Sequence, residues 1–177
     1  MVPSIFANYF VASAGAGAAL IGLLFVVISI QPELTLGGGA HPVRRGVASG
    51  AFTALTNAFF VSMAALIPLA NVGVMAIVVS VVDIMITVAL ARGVLRRGPH
   101  PRGTPVAWAS LTRMVATLGV SVALYGYEGV IGVAMLLHPH DTGFVFTLAE
   151  LLLGVYAVGL VRAWELLGGP GGAIGRL

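Results

Sequence analysis

The sequence predicts an all-α integral membrane protein: a single bundle of five transmembrane helices, with the N-terminus outside and the C-terminus in the cytoplasm. Three observations predict it. The chain has 177 residues, 59% of them apolar and only 8% charged, whereas a soluble domain carries about 25% charged residues. That leaves too little polar surface to cover a water-soluble globule. Five apolar segments can be marked, at 5–30, 47–69, 72–95, 106–137 and 142–166, each long enough to cross a hydrocarbon layer that needs about 20 residues. The arginines, finally, fall on alternate connectors.

The first segment, 5–30, resembles a signal peptide only in position. It has no basic region before it, and its small-residue run at 12–18 precedes the bulkiest apolar stretch, the wrong order for cleavage. It is expected to be a retained helix. Its pairs Ala12/Ala16, Gly15/Ala19 and Ala18/Gly22 present small residues at four-residue spacing, a face that lets helices approach closely in lipid. Arg44 and Arg45 follow in the first connector. The second and third segments are separated by Pro68, Asn71 and Gly73, a composition that suits a tight helical hairpin. Arg92, Arg96, Arg97 and Arg102 mark the third connector. The fourth segment exceeds what a bilayer needs, which places its first turns, around Trp108, in the cytoplasmic interface. After the fifth, the Gly-Gly-Pro-Gly-Gly stretch at 168–172 opens a short tail, 168–177, of linker composition.

Arg162 and Arg176 sit at the C-terminal end, and the N-terminus and the second and fourth connectors carry no arginine. Every arginine-bearing connector then lies on one side, as the positive-inside rule requires for five spans and an external N-terminus. The formal charge of +3 is thus a topology signal and not a nucleic-acid patch. Lysine and cysteine are both absent. The first absence removes Schiff-base chemistry, the second disulfides and thiolate metal sites. No cofactor is expected, and no serine dyad, zinc helix or phosphate loop indicates an enzyme.

Three acids lie inside apolar segments: Asp83, Glu128 and Glu150. Counting at ~1.5 Å per residue from the outer end of each helix puts Asp83 about 18 Å deep, Glu128 about 15 Å and Glu150 about 12 Å, with Asn57 about 16 Å deep. An ionised carboxylate there costs at least ~2.5 kcal/mol. Arg113 and Arg162 count to the cytoplasmic interface, where long side chains reach water, so the slab is expected to hold acids without a base. Helical spacing aligns Arg113, Thr117, Ser121, Tyr125 and Glu128 in one stripe, Ser80, Asp83 and Thr87 in another, Ser49, Thr53, Thr56 and Asn57 on a third face, and Thr147, Glu150 and Gly154 on a fourth, faces expected to turn toward one another or toward an oligomer axis. The expected ion pathway comprises Asp83, Glu128, Glu150, Asn57, Tyr125, Ser121 and Thr87. The string Tyr125-Gly-Tyr-Glu-Gly129 is no potassium filter, because that filter is an extended loop. The four histidines, His41, His100, His138 and His140, fall in connectors and provide no haem ligands within the bundle. His138, His140 and Asp141 form a possible outer metal or pH site, with the metal unknown; a short turn explains the same residues.

The stretch Ala12-Ser-Ala-Gly-Ala-Gly-Ala-Ala-Leu-Ile-Gly-Leu-Leu-Phe-Val-Val-Ile-Ser-Ile30, followed by an arginine-bearing loop and a second apolar helix, resembles an uncharacterised family of small multi-helix membrane proteins of high-GC bacteria. The resemblance covers the first third of the chain and implies no function. The Arg, Ala, Gly and Val bias points the same way, to a multi-pass protein of the bacterial plasma (inner) membrane. The expected function is an ion channel or small transporter whose acidic slab favours cations or protons, acting in the lipid bilayer as a homo-oligomer. The alternative is a structural or assembly subunit of a larger membrane complex.

Overall fold

The computed structural model describes residues 2–30, 42–68, 70–96 and 105–166, and of 42–45, 94–96 and 105–114 the backbone alone. His41, His100, Arg97, Arg102, Arg176 and the predicted tail at 168–177 lie outside these residues. Five long helices follow one another: α1 (Ala7–Ile30), α2 (Pro42–Leu66), α3 (Val72–Arg96), α4 (Pro105–Leu137) and α5 (Gly143–Leu166). A 3₁₀ turn, Ser4–Phe6, leads into α1, and no strand occurs among the described residues. All five helices contain stretches long and apolar enough to cross a membrane.

The helix ends have local causes. Pro42 opens α2, where a missing N–H costs nothing and the fixed φ suits a first helical position; the helix thus begins earlier than the apolar segment, and Arg44 and Arg45 fall in its first turn instead of in a connector. It stops at Leu66 because proline disfavours helical backbone at the residue before it, here Ile67 ahead of Pro68. The Asn71 side chain accepts the Val74 N–H at 3.4 Å and so caps α3. Asp141 does the same for α5, accepting the Gly143 N–H at 2.8 Å.

Helix α2 is central, packing against α1, α3 and α5. It is the least apolar of the five spans and the most buried. Its inward positions carry small side chains, Ala48, Ala51, Ala54 and Ala58 among them, so that three neighbours approach its backbone at once. Opposite it, Gly159 of α5 sits so close that an added Cβ would lie 2.9 Å from Leu55 and 3.4 Å from Ala54. Helices α3 and α4 cross more closely still. A Cβ on Gly132 would stand 2.7 Å from the Gly73 carbonyl, and one on Gly73 would stand 2.7 Å from the Gly132 carbonyl.

Helix α1 runs antiparallel along α2 and is fastened by hydroxyl groups. Ser13 and Ser62 share a hydrogen bond of 2.7 Å, Tyr156 donates to the Ser13 carbonyl at 2.5 Å, and Tyr9 donates to the Ala149 carbonyl at 2.5 Å. The small-residue pairs expected to dock a helix point outward: Ala12, Gly15, Ala16, Ala18, Ala19 and Gly22 are all exposed. Within the chain it is Gly17, on the opposite face, that meets Phe59 and Tyr156.

Candidate functional site

Three helices bring one amide and two carboxyl groups together in the centre of the bundle. Asn57 on α2 donates through Nδ2 to Asp83 Oδ2 on α3 at 2.7 Å and to Glu128 Oε2 on α4 at 2.7 Å. Both oxygens bond to one nitrogen, so they lie within twice that distance of each other. The three side chains are 1%, 5% and 0% exposed. Two further oxygens of the same group, Asn57 Oδ1 and Glu128 Oε1, are buried and have no hydrogen-bond partner. The near-equal depths expected for Asn57, Asp83 and Glu128 are therefore realised as direct contact.

Small residues make this meeting possible. On α3, Ser80 donates to the Tyr125 carbonyl at 2.7 Å, and its hydroxyl occupies the space a Cβ on Gly129 would need. Together with the Gly73/Gly132 crossing, this draws α3 against α4 and sets Asp83 beside Glu128.

The surroundings differ on the two sides. Toward the end bearing the α2–α3 and α4–α5 turns, Ser80 lies one turn from Asp83 with its hydroxyl engaged by the Tyr125 carbonyl, and the layer beyond is apolar: Ala76 and Ile131 are 0% and 3% exposed. Beyond them opens a cavity of about 250 Å³ lined by Asn71, Met135, His138, Asp141 and Thr142 among others. In the opposite direction the neighbours are polar. Thr53 lies one turn from Asn57, Thr87 one turn from Asp83, and Tyr125 and Ser121 one and two turns from Glu128, all of them buried. No hydrogen bond joins Thr87 to the carboxyls.

Arg162 terminates this polar series: its side chain turns toward α4 instead of extending to the interface as expected, and it makes no hydrogen bond with either acid. Its Nη2 donates to the Thr117 carbonyl at 3.1 Å and to the Ser121 hydroxyl. Gly50 on α2 leaves room for it, since a Cβ there would fall 2.5 Å from Nη1. Inside the bundle the guanidinium finds fixed acceptors, and these replace the water it would otherwise have to reach. Seven residues of α4 separate Ser121 from Glu128, about 10 Å along the helix.

A second correction concerns Glu150. It was expected in the pathway, but it is exposed on the outer surface of the bundle. The buried face of α5 is set by Leu148, Leu152, Val155 and Gly159, packed on α2 at helical spacing. Glu150 lies two residues from both Leu148 and Leu152, and helical geometry turns it to the opposite side.

Of the possible outer site, His138 and Asp141 line the cavity, whereas His140 does not. Asp141 is engaged as the cap of α5, and the His138 ring lies 5.9 Å from that of Phe144. Among the described residues no group of three or more acids and histidines is arranged to hold a metal ion. Sequence reasoning missed Arg162, Gly50 and the Ser13, Ser62, Tyr156 fastening. A serine or tyrosine in an apolar helix carries no signal of which helix it meets.

No family model, no curated protein and no solved structure matches the chain. Function is therefore read from the chemistry of the bundle.

Proposed function

We propose that this chain is a five-span protein of the bacterial plasma membrane, N-terminus outside, that carries protons or small cations through the Asn57, Asp83 and Glu128 cluster. One observation carries the reading: two carboxyl groups share a single amide in a closed core, and two oxygens of that cluster accept nothing. Buried polar atoms are almost always paired, and carboxylates at membrane depth mark ion or proton paths. A proton or a cation on the cluster provides the positive charge that both carboxyls lack and occupies the vacant lone pairs.

The asymmetry around the cluster favours a carrier over an open pore. Ala76 and Ile131 close the turn side, and the polar series from Arg162 leads up from the other. In the positive-inside orientation that series approaches from the cytoplasm and the cavity of His138 and Asp141 opens outward. An occluded central site between two unequal half-paths is the arrangement expected of alternating access.

The test is flux into liposomes containing the purified protein, followed with a pH-sensitive dye and with cation-selective dyes. Asp83→Asn and Glu128→Gln should each reduce the parent's flux to that of empty vesicles. A parent with no flux above empty vesicles, at any pH between 5 and 8 and at any imposed voltage, refutes the proposal. The alternative, a structural or assembly subunit, draws on the outward stripe of small residues on α1, and predicts a stoichiometric foreign subunit after purification in gentle detergent.

A further inference from the structure

The polar groups left on the outside of the bundle are as informative as those inside. Glu150 on α5 is exposed, and Tyr127 on α4 is 51% exposed. Neither side chain makes a hydrogen bond or ion pair with any described residue. Around them the surface is apolar: Val120 and Val130 on α4, Phe146 and Leu153 on α5 are each at least half exposed. A carboxyl group turned toward lipid at mid-span is costly, and such residues almost always face protein or a water-filled cavity.

The two groups lie at the same height. Leu124 on α4 approaches Gly154 on α5, its Cδ2 being 3.9 Å from where a Cβ on Gly154 would sit. The helices are antiparallel neighbours joined by the short turn at 138–142. From that contact Tyr127 is three residues toward the turn and Glu150 four residues toward it. At ~1.5 Å per residue their levels differ by only about 1.5 Å. Both therefore flank the α4–α5 groove, at one depth, on the outside.

Resting on the membrane-spanning arrangement proposed above, but not on transport, we infer that this face is the contact for a second copy of the chain. A two-fold axis along the membrane normal leaves every group at its own depth. It brings Tyr127 of one copy to Glu150 of the other only when the two are level within one chain, as they are here. Such an interface is self-complementary: one phenol donor and one carboxyl acceptor per chain form two identical hydrogen bonds. Glu150 exchanges lipid for a donor.

The chain has no cysteine, so single cysteines report contacts without background. Ala157→Cys lies two turns from Glu150 on the exposed face; Val82→Cys, on the exposed face of α3, is the control. Both are oxidised in native membranes with an otherwise unaltered chain. Ala157→Cys should form a disulfide dimer several-fold more than Val82→Cys. Tyr127→Phe and Glu150→Leu, both tolerable at lipid-facing positions, should each raise the dimer dissociation constant about tenfold, by removing two interhelical bonds worth about threefold apiece. Crosslinking at Ala157 no greater than at Val82 overturns the inference. So does an unchanged dimer population in both variants, or a different protein bound at this face in place of a second copy. Flux measured on the same preparations separates the two ideas: a monomer that still transports refutes the interface alone, and a dimer without flux refutes transport alone.

Discussion

Replacing Asn57 by leucine, of similar volume, separates a cluster kept for function from one kept for stability. The substitution removes both donors at once, each at 2.7 Å from a carboxylate oxygen. A hydrogen bond to a charged group contributes about 1.5–3 kcal/mol. Two such bonds give about 3–6 kcal/mol, and the upper half is trimmed because an abandoned carboxylate is free to take up a proton. The expected loss for Asn57→Leu is thus about 3 kcal/mol. The triple variant Asn57→Leu, Asp83→Leu, Glu128→Leu is predicted to behave in the opposite way. Removing one member of a buried polar group strands the others, whereas replacing the whole group with apolar side chains is often neutral or stabilising. Equilibrium unfolding in mixed micelles, followed by the fluorescence of the two tryptophans, Trp108 and Trp164, gives both numbers. The triple variant should be at least as stable as the parent and carry no flux. A triple variant several kcal/mol less stable than the parent refutes the reasoning, because the cluster would then be the cement of α2, α3 and α4.

Gly132→Ala should cost about 1–3 kcal/mol, since its Cβ meets the Gly73 carbonyl at 2.7 Å and Ile77 Cγ1 at 2.8 Å; Gly126→Ala, with nothing within 4 Å, should be neutral or mildly stabilising in the same unfolding assay. Gly50→Ala should displace the Arg162 guanidinium from Thr117 and Ser121, because its Cβ lands 2.5 Å from Nη1; flux should fall while thermal stability changes by less than about 1 kcal/mol, the side chain being free to rotate away. Tyr156→Phe removes the donor to the Ser13 carbonyl and should loosen α1 by about 1 kcal/mol, seen as faster proteolysis near the N-terminus with flux retained.

The fold was legible because a long apolar run able to cross a membrane must satisfy every backbone polar group within the segment, and is therefore a helix. That rule located all five helices to within a few residues, and the largest error, at the start of α2, came from a helix extending past its apolar part to Pro42. The central site was partly legible for the same reason. Depth follows from counting along a helix, so Asn57, Asp83 and Glu128 could be assigned one level before any packing was known. Direction is another matter. Glu150 counted to nearly the same level but faces away, because the buried side of α5 is the one that carries Leu148, Leu152 and Gly159, with Gly159 fitting against Leu55 and Ala54. Arg162 illustrates the converse. Its sequence position fits a residue reaching outward to water, and only Gly50, more than a hundred residues earlier, makes the inward conformation possible.

Arg162 turns inward but stops short of the two carboxyls. With no base in the core, both would have to be neutralised by protons or bound cations. The guanidinium bonds to Thr117 and Ser121, about 10 Å along α4 from Glu128, and makes no hydrogen bond with either carboxyl. The cluster's one hydrogen-bond donor is the neutral amide, and the two unpartnered oxygens, Asn57 Oδ1 and Glu128 Oε1, belong to the pair of side chains already linked through Nδ2 and Oε2. A proton on Glu128 would add a donor to a group in which these two oxygens accept nothing. Two opposite demands therefore meet in one place. The cluster needs positive charge, and the carrier proposed above needs that charge to be removable; a neutral amide between Asp83 and Glu128 is compatible with both, where a contacting arginine would not be.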